Sequence, residues 1–272
     1  VTTDIEHHYS AQDTDGQELA RRIRAALSAA GTDLGRLTPS DLAPVDEFHI
    51  RGRAATLELA AHLALTPDDR VLDLGSGLGG PARTLAEVTG CHVTGIDLTR
   101  AFTAAATELS TWVGLADRVH FVQGDATDLP FPADHFDAAV TIHAAMNIPA
   151  KDQLYAEARR VLKPGRRFVI YDVLQGEGGP VIYPVPWARD PSLSALATPE
   201  EMRALLAEAG FAILAEQDTT DACVAWFRGL ATQGASPGIQ LFMGADFPQM
   251  VRNQVQNLTE RRIRVVTYVC RG

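Results

Sequence analysis

The decapeptide VLDLGSGLGG, Val71 to Gly80, constrains the fold more than any other stretch of this chain. A short apolar run ends in a cluster of glycines, the pattern of a strand that turns sharply into a helix N-terminus. Such a turn is bare of side chains, so a ligand can lie close against its backbone, and its glycines can take positive φ. An acid, Asp73, stands inside the apolar run, which calls for a specific partner.

The rhythm that follows repeats the unit. GPARTLAEVT reads as a helix with Pro81 in its first turn, CHVTGIDLT as a second strand and RAFTAAATELSTWVGL as a helix closed by Gly114. VHFVQGDATDLP and FDAAVTIHAAMN read as strands three and four, KDQLYAEARRVLKPG as a helix with a Pro-Gly stop, and RRFVIYDVL as strand five. Strand–helix alternation of this kind predicts right-handed crossovers and a parallel sheet covered on both faces. Later, TPEEMRALLAEAGF reads as a helix with Thr198 as N-cap, Glu201 three residues on and Gly210 as stop. AILAEQDTT and RIRVVTYVCRG supply two late strands.

Two regions flank this core. Residues 1–69 read as a helical cap: DGQELARRIRAALSAAG, with Leu19, Ile23 and Leu27 at helical spacing, and GRAATLELAAHLAL, joined by LTPSDLAPVDEFHIRGR, which reads as a loop. Residues 70–272 form the core. Within it, about 175–197 is too long and too rich in Gly and Pro for an ordinary connection and reads as a lid.

A strand, a glycine turn, a helix and a second strand ending in an acid make a nucleotide site. The acid, Asp97, would take the two hydroxyls of a ribose. Gly75, Gly77 and Gly80 also fit G-x-G-x-x-G, so a dinucleotide and a hydride-transfer enzyme stand as one reading. That reading lacks its chemistry, because Lys151 and Tyr155 come in the wrong order for a Tyr-x-x-x-Lys helix. A cationic ligand is the other reading, since Asp73 beside the glycines favours positive charge. Asp125 in QGDAT is placed to accept from an exocyclic amine of an adenine, next to Ala126.

VLDLGSGLGG, VTGIDLT, QGDATDLPF and LKPGRR, in this order and spacing, resemble the class I S-adenosylmethionine-dependent methyltransferases over about Arg70 to Val173. DEFHIRGRAAT, HAAMNI, PVPWARDP and the terminal MGADFPQMVRNQVQNLTERRIRVV look like a small-molecule branch that includes sarcosine/dimethylglycine N-methyltransferase-like proteins. The resemblance implies a Rossmann-like, doubly wound α/β sheet, mostly parallel, with a C-terminal antiparallel pair. It implies S-adenosyl-L-methionine as donor and S-adenosyl-L-homocysteine as product. Donor contacts would come from Asp73, Gly75, Ser76, Gly77, Gly79, Asp97, Leu98, Asp125 and Ala126, with His143 near the transferred methyl. Arg51 either pairs with the donor carboxylate or is solvated.

On the acceptor side, His143 and Asn147 follow the fourth strand, where α/β sheets bind ligands. They are the candidate catalytic residues; His143 serves as a base or packs on the donor. His49, Met146, Tyr183, Trp187 and Arg189 are candidate acceptor contacts. Trp187 either walls an alkylammonium or plugs the core, and a methionine in the place of Met146 is most often simply core. His7, His8 and Tyr9 read either as part of an N-terminal lid or as a tail. His62, His92, His120 and His135 carry no assigned role, and Arg159-Arg160 reads as a solvated helix face.

The reading is therefore a transferase acting on a small-molecule acceptor through nitrogen, oxygen or carbon. The alternatives are a cofactor-binding protein without catalysis and the NAD-dependent oxidoreductase. A net charge of -10 argues against a nucleic-acid surface. No apolar run is long enough to span a membrane, and the polar start VTTDIEHHYS is read as no secretory signal. Three scattered cysteines, Cys91, Cys223 and Cys270, form no metal spacing and no disulfide framework, so a cytoplasmic setting without a bound metal is expected. A monomer or a homodimer fits equally.

Overall fold

A computed structural model describes residues 15–230 and 246–272. Its centre is a seven-stranded sheet in the order β3-β2-β1-β4-β5-β7-β6. The strands are β1 (Arg70–Leu74), β2 (His92–Asp97), β3 (Val119–Gln123), β4 (Phe136–Ile142), β5 (Leu162–Gln175), β6 (Ala212–Asp218) and β7 (Ile263–Arg271). β1 to β5 run parallel, and β7 lies antiparallel between β5 and β6. Both faces are covered, so β1 and β4 are apolar nearly throughout. Val71, Leu72, Leu74, Ala139 and Val140 are all fully buried.

Among the described residues, three helices precede the sheet: α1 (Gly16–Ala29), α2 (Pro39–Asp46) and α3 (Gly52–Leu63). α1 lays Leu19, Ile23 and Leu27 on Phe102, Ala105 and Leu109 of α5 (Arg100–Trp112). α2 falls in the stretch read from sequence as a loop. Thr38 opens it: its hydroxyl and amide both donate to the Asp41 carboxylate, and Pro39 sits at the first helical position. That capping box is the signal the loop reading passed over.

α4 (Gly80–Thr89) starts the glycine turn's helix, and α6 (Lys151–Val161) connects β4 to β5. The Lys-Pro-Gly stop is not the end of a helix. α6 ends at Val161, and β5 begins at once with Leu162 opposite Phe136. The next pair is Ala138 with Arg167, so the intervening residues are accommodated as an irregularity in the pairing. Likewise β4 ends at Ile142, and the rest of that predicted strand forms a 3-10 turn, Ala145–Asn147. The capped helix α7 (Pro199–Glu208) agrees with the reading, including the reciprocal Thr198–Glu201 bonds.

Two helices were not read from sequence. α8 (Thr220–Leu230) buries Thr220, Cys223 and Val224. α9 (Phe247–Thr259) buries Met250, Asn253, Gln254, Asn257 and Leu258. The polar face of α9 carries no hydrophobic period, and its Asn253 and Asn257 amides bond the segment 175–197. Asn253 donates to the Pro184 carbonyl, while Asn257 donates to the Ile182 carbonyl and accepts from the Ile182 amide. Arg160 is also not a merely solvated residue: it donates to the carbonyls of Leu129 and Phe131 and pairs with Glu157, pinning the β3–β4 loop.

Candidate active site

The glycine turn is held from below by strand β2. The amides of Gly75 and Ser76 both donate to the Ile96 carbonyl. The Asp97 carboxylate accepts from the Gly77 amide at 2.8 Å and the Thr99 amide at 2.9 Å. Burial pushes this carboxyl up, while those two amides pull it down.

The three glycines of the turn do different work. A Cβ on Gly75 would lie 2.3 Å from the Ala144 Cβ, and one on Gly79 would lie 2.2 Å from the Phe121 ring. Both are needed for close packing, and both have positive φ, as does Gly77. Around Gly77, by contrast, the space is open. It is the position where a ligand can approach the backbone.

Among the described residues, the buried polar atoms that lack a hydrogen-bond partner include Asp73 Oδ2, Ser76 Oγ and His143 Nε2, with Asp46 Oδ1 and Arg83 Nε beside them. Each such atom costs on the order of 1–3 kcal/mol unless something fills its valence. Burial, reinforced by the charges of Glu47 and Asp97, pushes the Asp73 carboxyl up to about 8. A cation beside it would be stabilised on binding and would bring that value down.

One layer of the site was absent from the sequence reading. Asp46 and Glu47, at the end of α2, sit over the turn. Gly80 packs so closely on Asp46 that a Cβ would meet its carbonyl oxygen at 2.5 Å. Arg83, fully buried in α4, donates to Asp46 at 2.6 Å and also to the Leu78 and Ala106 carbonyls and Ser110. Burial raises the Asp46 carboxyl to about 6 against the pull of Arg83. Glu47 accepts from Thr56 and Thr84, both at 2.7 Å. No local motif marks these residues; thirty-odd intervening positions separate them from the helix they grip.

His49 is buried beside Glu47. Its Nε2 lies 2.9 Å from the Gly52 carbonyl oxygen, 3.2 Å from the Thr56 hydroxyl and 3.6 Å from the Glu47 carboxylate. Burial lowers its imidazole to about 4. His143 takes a left-handed φ of 49° directly after β4, and its amide donates to the Tyr171 carbonyl. Its ring stacks on Tyr171 at 5.0 Å and meets His49 edge-on at 6.0 Å. Burial holds the His143 imidazole well below its usual range. The Tyr171 hydroxyl donates to the Ile50 carbonyl, 3.2 Å away.

The remaining predicted residues fall into two groups. Leu98 and Ala126 are half-buried near the strand ends; Asp125 is exposed and accepts from the Thr127 amide and hydroxyl. Arg51 has a left-handed backbone and an ion pair to Glu58. Met146 is buried in the core cluster that also holds Trp187, and Tyr183 packs against it. Trp187 is 1% exposed and its indole donates to Ser194. Asn147 donates to the carbonyls of Trp187 and Leu193, both at 2.8 Å, so its amide group clasps the lid. Arg189 lies at the surface, paired with Asp246 at 2.7 Å. His7, His8 and Tyr9 lie outside the described residues. Among the described residues, no cluster of His, Cys, Asp and Glu is arranged to hold a metal ion.

The parallel sheet with an antiparallel β7 wedged before β6 is the Rossmann-like methyltransferase fold. Residues 72–170 match the family described as a methyltransferase domain. A sterol 24-C-methyltransferase of Gibberella zeae is 42% identical over 116 residues, 43% of this chain and 30% of that protein. The chain thus matches less than a third of that relative's length.

Solved structures share the fold. A geranyl diphosphate methyltransferase in complex with S-adenosylmethionine aligns with a TM-score of 0.67 and 20% identity, over 91% of this chain and 94% of that one. The [4+2]-cyclase SpnF aligns over 95% and 97%, with a TM-score of 0.64 and 24% identity. A putative sarcosine dimethylglycine methyltransferase from Galdieria sulphuraria covers 80% and 82%, with a TM-score of 0.63 and 20% identity.

Proposed function

We propose that this protein transfers a methyl group from S-adenosylmethionine to a small-molecule acceptor. The observation that carries this reading is the trio of unpartnered atoms, Asp73 Oδ2, Ser76 Oγ and His143 Nε2, set around a backbone left open at Gly77. The donor's amino group answers Asp73. Asp97, already fixing the turn, takes the ribose hydroxyls; Leu98, Asp125 and Ala126 border the adenine. Arg51 exchanges Glu58 for the donor carboxylate, and Gly75 and Gly79 shape the turn rather than touch the ligand.

The donor supplies an activated methyl, so the chain's own work is positioning and the exclusion of water. His143, at the C-terminal end of β4, faces the acceptor. Asn147 acts indirectly by holding the lid of residues 175–197, with Trp187 locked beneath it and Met146, Tyr183 and His49 around it. Residues 1–69 form a cap that contributes Asp46, Glu47 and His49 to a core of residues 70–272. A cytoplasmic setting, as monomer or homodimer, belongs to the same reading. It is supported by three buried, unpaired cysteines and by the lack, among the described residues, of a helix long and apolar enough to cross a membrane.

Calorimetric titration tests the reading. S-adenosylmethionine should bind with micromolar affinity, Asp97→Ala should weaken that binding about 100-fold, and NAD should not bind. Preference for NAD would overturn the donor assignment. The sheet already speaks against it, since the six-stranded dinucleotide order is parallel throughout and lacks an antiparallel β7. A second reading rests on the near full-length likeness to a cyclase: the donor is bound, but no methyl leaves it. Tight binding without turnover on any acceptor would favour that reading.

A further inference from the structure

The charged groups around the lid and the ring cluster beneath it narrow the acceptor. Arg189, the residue expected to greet a carboxylate, is held by Asp246 at the surface. Lys151 is buried and donates to the carbonyls of Ala145 and Ile148, at 2.5 Å and 2.8 Å. Arg262 is tied to Glu260 and to the Pro180 carbonyl, and Arg264 to Glu177 and Asp218. These cations are spent on holding the lid and the β7 edge. The lid and α8 lend apolar side chains to the core cluster that holds Trp187, among them Val181, Tyr183, Leu193, Leu196, Trp226 and Phe227.

Two buried histidines meet beside Tyr171, a member of the same cluster. His143 has a buried Nε2 with no partner. Its ring is fixed between Tyr171 and His49, and Glu47 stands 3.6 Å behind His49. The groups facing this pair are Glu47, Arg51, Thr56 and Tyr171; Arg51 is engaged by Glu58, and Tyr171 donates away from the rings to Ile50. A neutral amine needs no base to attack a sulfonium methyl, whereas a hydroxyl does. A buried histidine directly after β4 with nothing to bond is an idle group for an amine and a useful one for a hydroxyl.

We propose that the acceptor is an uncharged hydroxyl compound with an apolar body, and that His143 takes its proton while His49, backed by Glu47, holds the His143 ring in place. This rests on the methyl-transfer reading. The acceptor's O–H bond breaks as the proton goes to His143 Nε2. Its oxygen bonds to the methyl carbon, and the methyl's bond to sulfur breaks with its electron pair left on sulfur. The proton leaves the imidazolium for water when the product departs. His143 is the catalytic residue here and His49 a positioning residue.

The test uses the full chain with labelled S-adenosylmethionine and four probes: 2-naphthol, 4-nitrophenol, dimethylglycine and geranyl diphosphate. The wild type should methylate 2-naphthol and 4-nitrophenol on oxygen and leave dimethylglycine and geranyl diphosphate untouched. His143→Ala should lower kcat on 2-naphthol at least 100-fold but on 4-nitrophenol, largely ionised at the assay pH, less than 5-fold. His49→Gln should show the same pattern at about 10-fold. A merely structural role would lower both phenols alike, and that result would overturn the base assignment. Methylation of dimethylglycine or geranyl diphosphate in preference, or of no phenol at all, would overturn the acceptor class. Calorimetric binding of S-adenosylmethionine in the same preparation separates either failure from a failure of the donor reading.

Discussion

The two ends of the sheet's ligand edge are built in different ways. The proposed donor side uses residues close in sequence: Asp73, the turn from Gly75 to Gly80 and Asp97 all belong to one β1–α4–β2 unit, knit by the Asp97 bond to Gly77. The proposed acceptor side is assembled from afar. His49 comes from the segment after α2, His143 from the end of β4, Tyr171 from β5, Trp187 from the lid, and the lid's anchor Asn257 from α9. A local unit holds its shape through backbone bonds and glycine conformations. A composite one depends on every element that packs around it.

The contrast is broken most severely where α2 enters the donor side. Arg83→Met would strand Asp46 in the interior and should destabilise the fold by about 3–5 kcal/mol in urea unfolding, as removal of one partner of a buried pair does. Next, Asp97→Ala should weaken donor binding about 100-fold by calorimetry, because two amide bonds to a charged group are lost together with the ribose contact.

The glycines sharpen the comparison within the turn. Gly75→Ala and Gly79→Ala should each destabilise by about 1–3 kcal/mol, since side-chain atoms already fill the space and overpacking is added to strain. Gly77→Ala meets no neighbour and should lose about 1 kcal/mol from strain alone, while lowering donor affinity about 10-fold. Equal losses of stability at all three would remove the distinction between shaping and approach.

A smaller effect concerns pH. In the empty protein the Asp73 carboxyl, at about 8, is largely protonated at neutral pH. A carboxyl raised above its unfolded value binds its proton more tightly in the folded state. Its contribution to stability is therefore greatest below about pH 4 and falls as pH rises toward 8. Asp73→Asn should be the more heat-stable form at pH 7. A cationic donor lowers that carboxyl, so binding should release protons at pH 7, read as a buffer-dependent enthalpy, and affinity should climb with pH until about 8. Asp73→Asn should flatten that climb. Smallest of all, Asn147→Ala should cost about 1–2 kcal/mol of stability and raise the acceptor KM with the donor Kd unchanged, because it unclasps only the lid.

Legibility follows the same division. The strands from β1 to β5, the helices between them, and the donor-side acid and glycines could be read because period and turn chemistry are local. α2 was missed although Thr38 and Asp41 announce it, since its Pro-rich run outweighed the cap. α9 was missed because its inward face is polar. Asp46, Glu47 and Arg83 carry no spacing that points to one another.

What this sequence determines alone is a strand that must end in glycines over an acid, and a series of crossovers that must lay strands parallel. Both are short-range consequences of φ, propensity and hydrophobic period. Only the tertiary structure decides that Gly77 faces open space while Gly75 and Gly79 are filled, that Asn147 serves the lid, and that His49 meets His143 over Tyr171. Those facts are contacts between residues distant in the chain. No local preference encodes them, and packing the core settles them all at once.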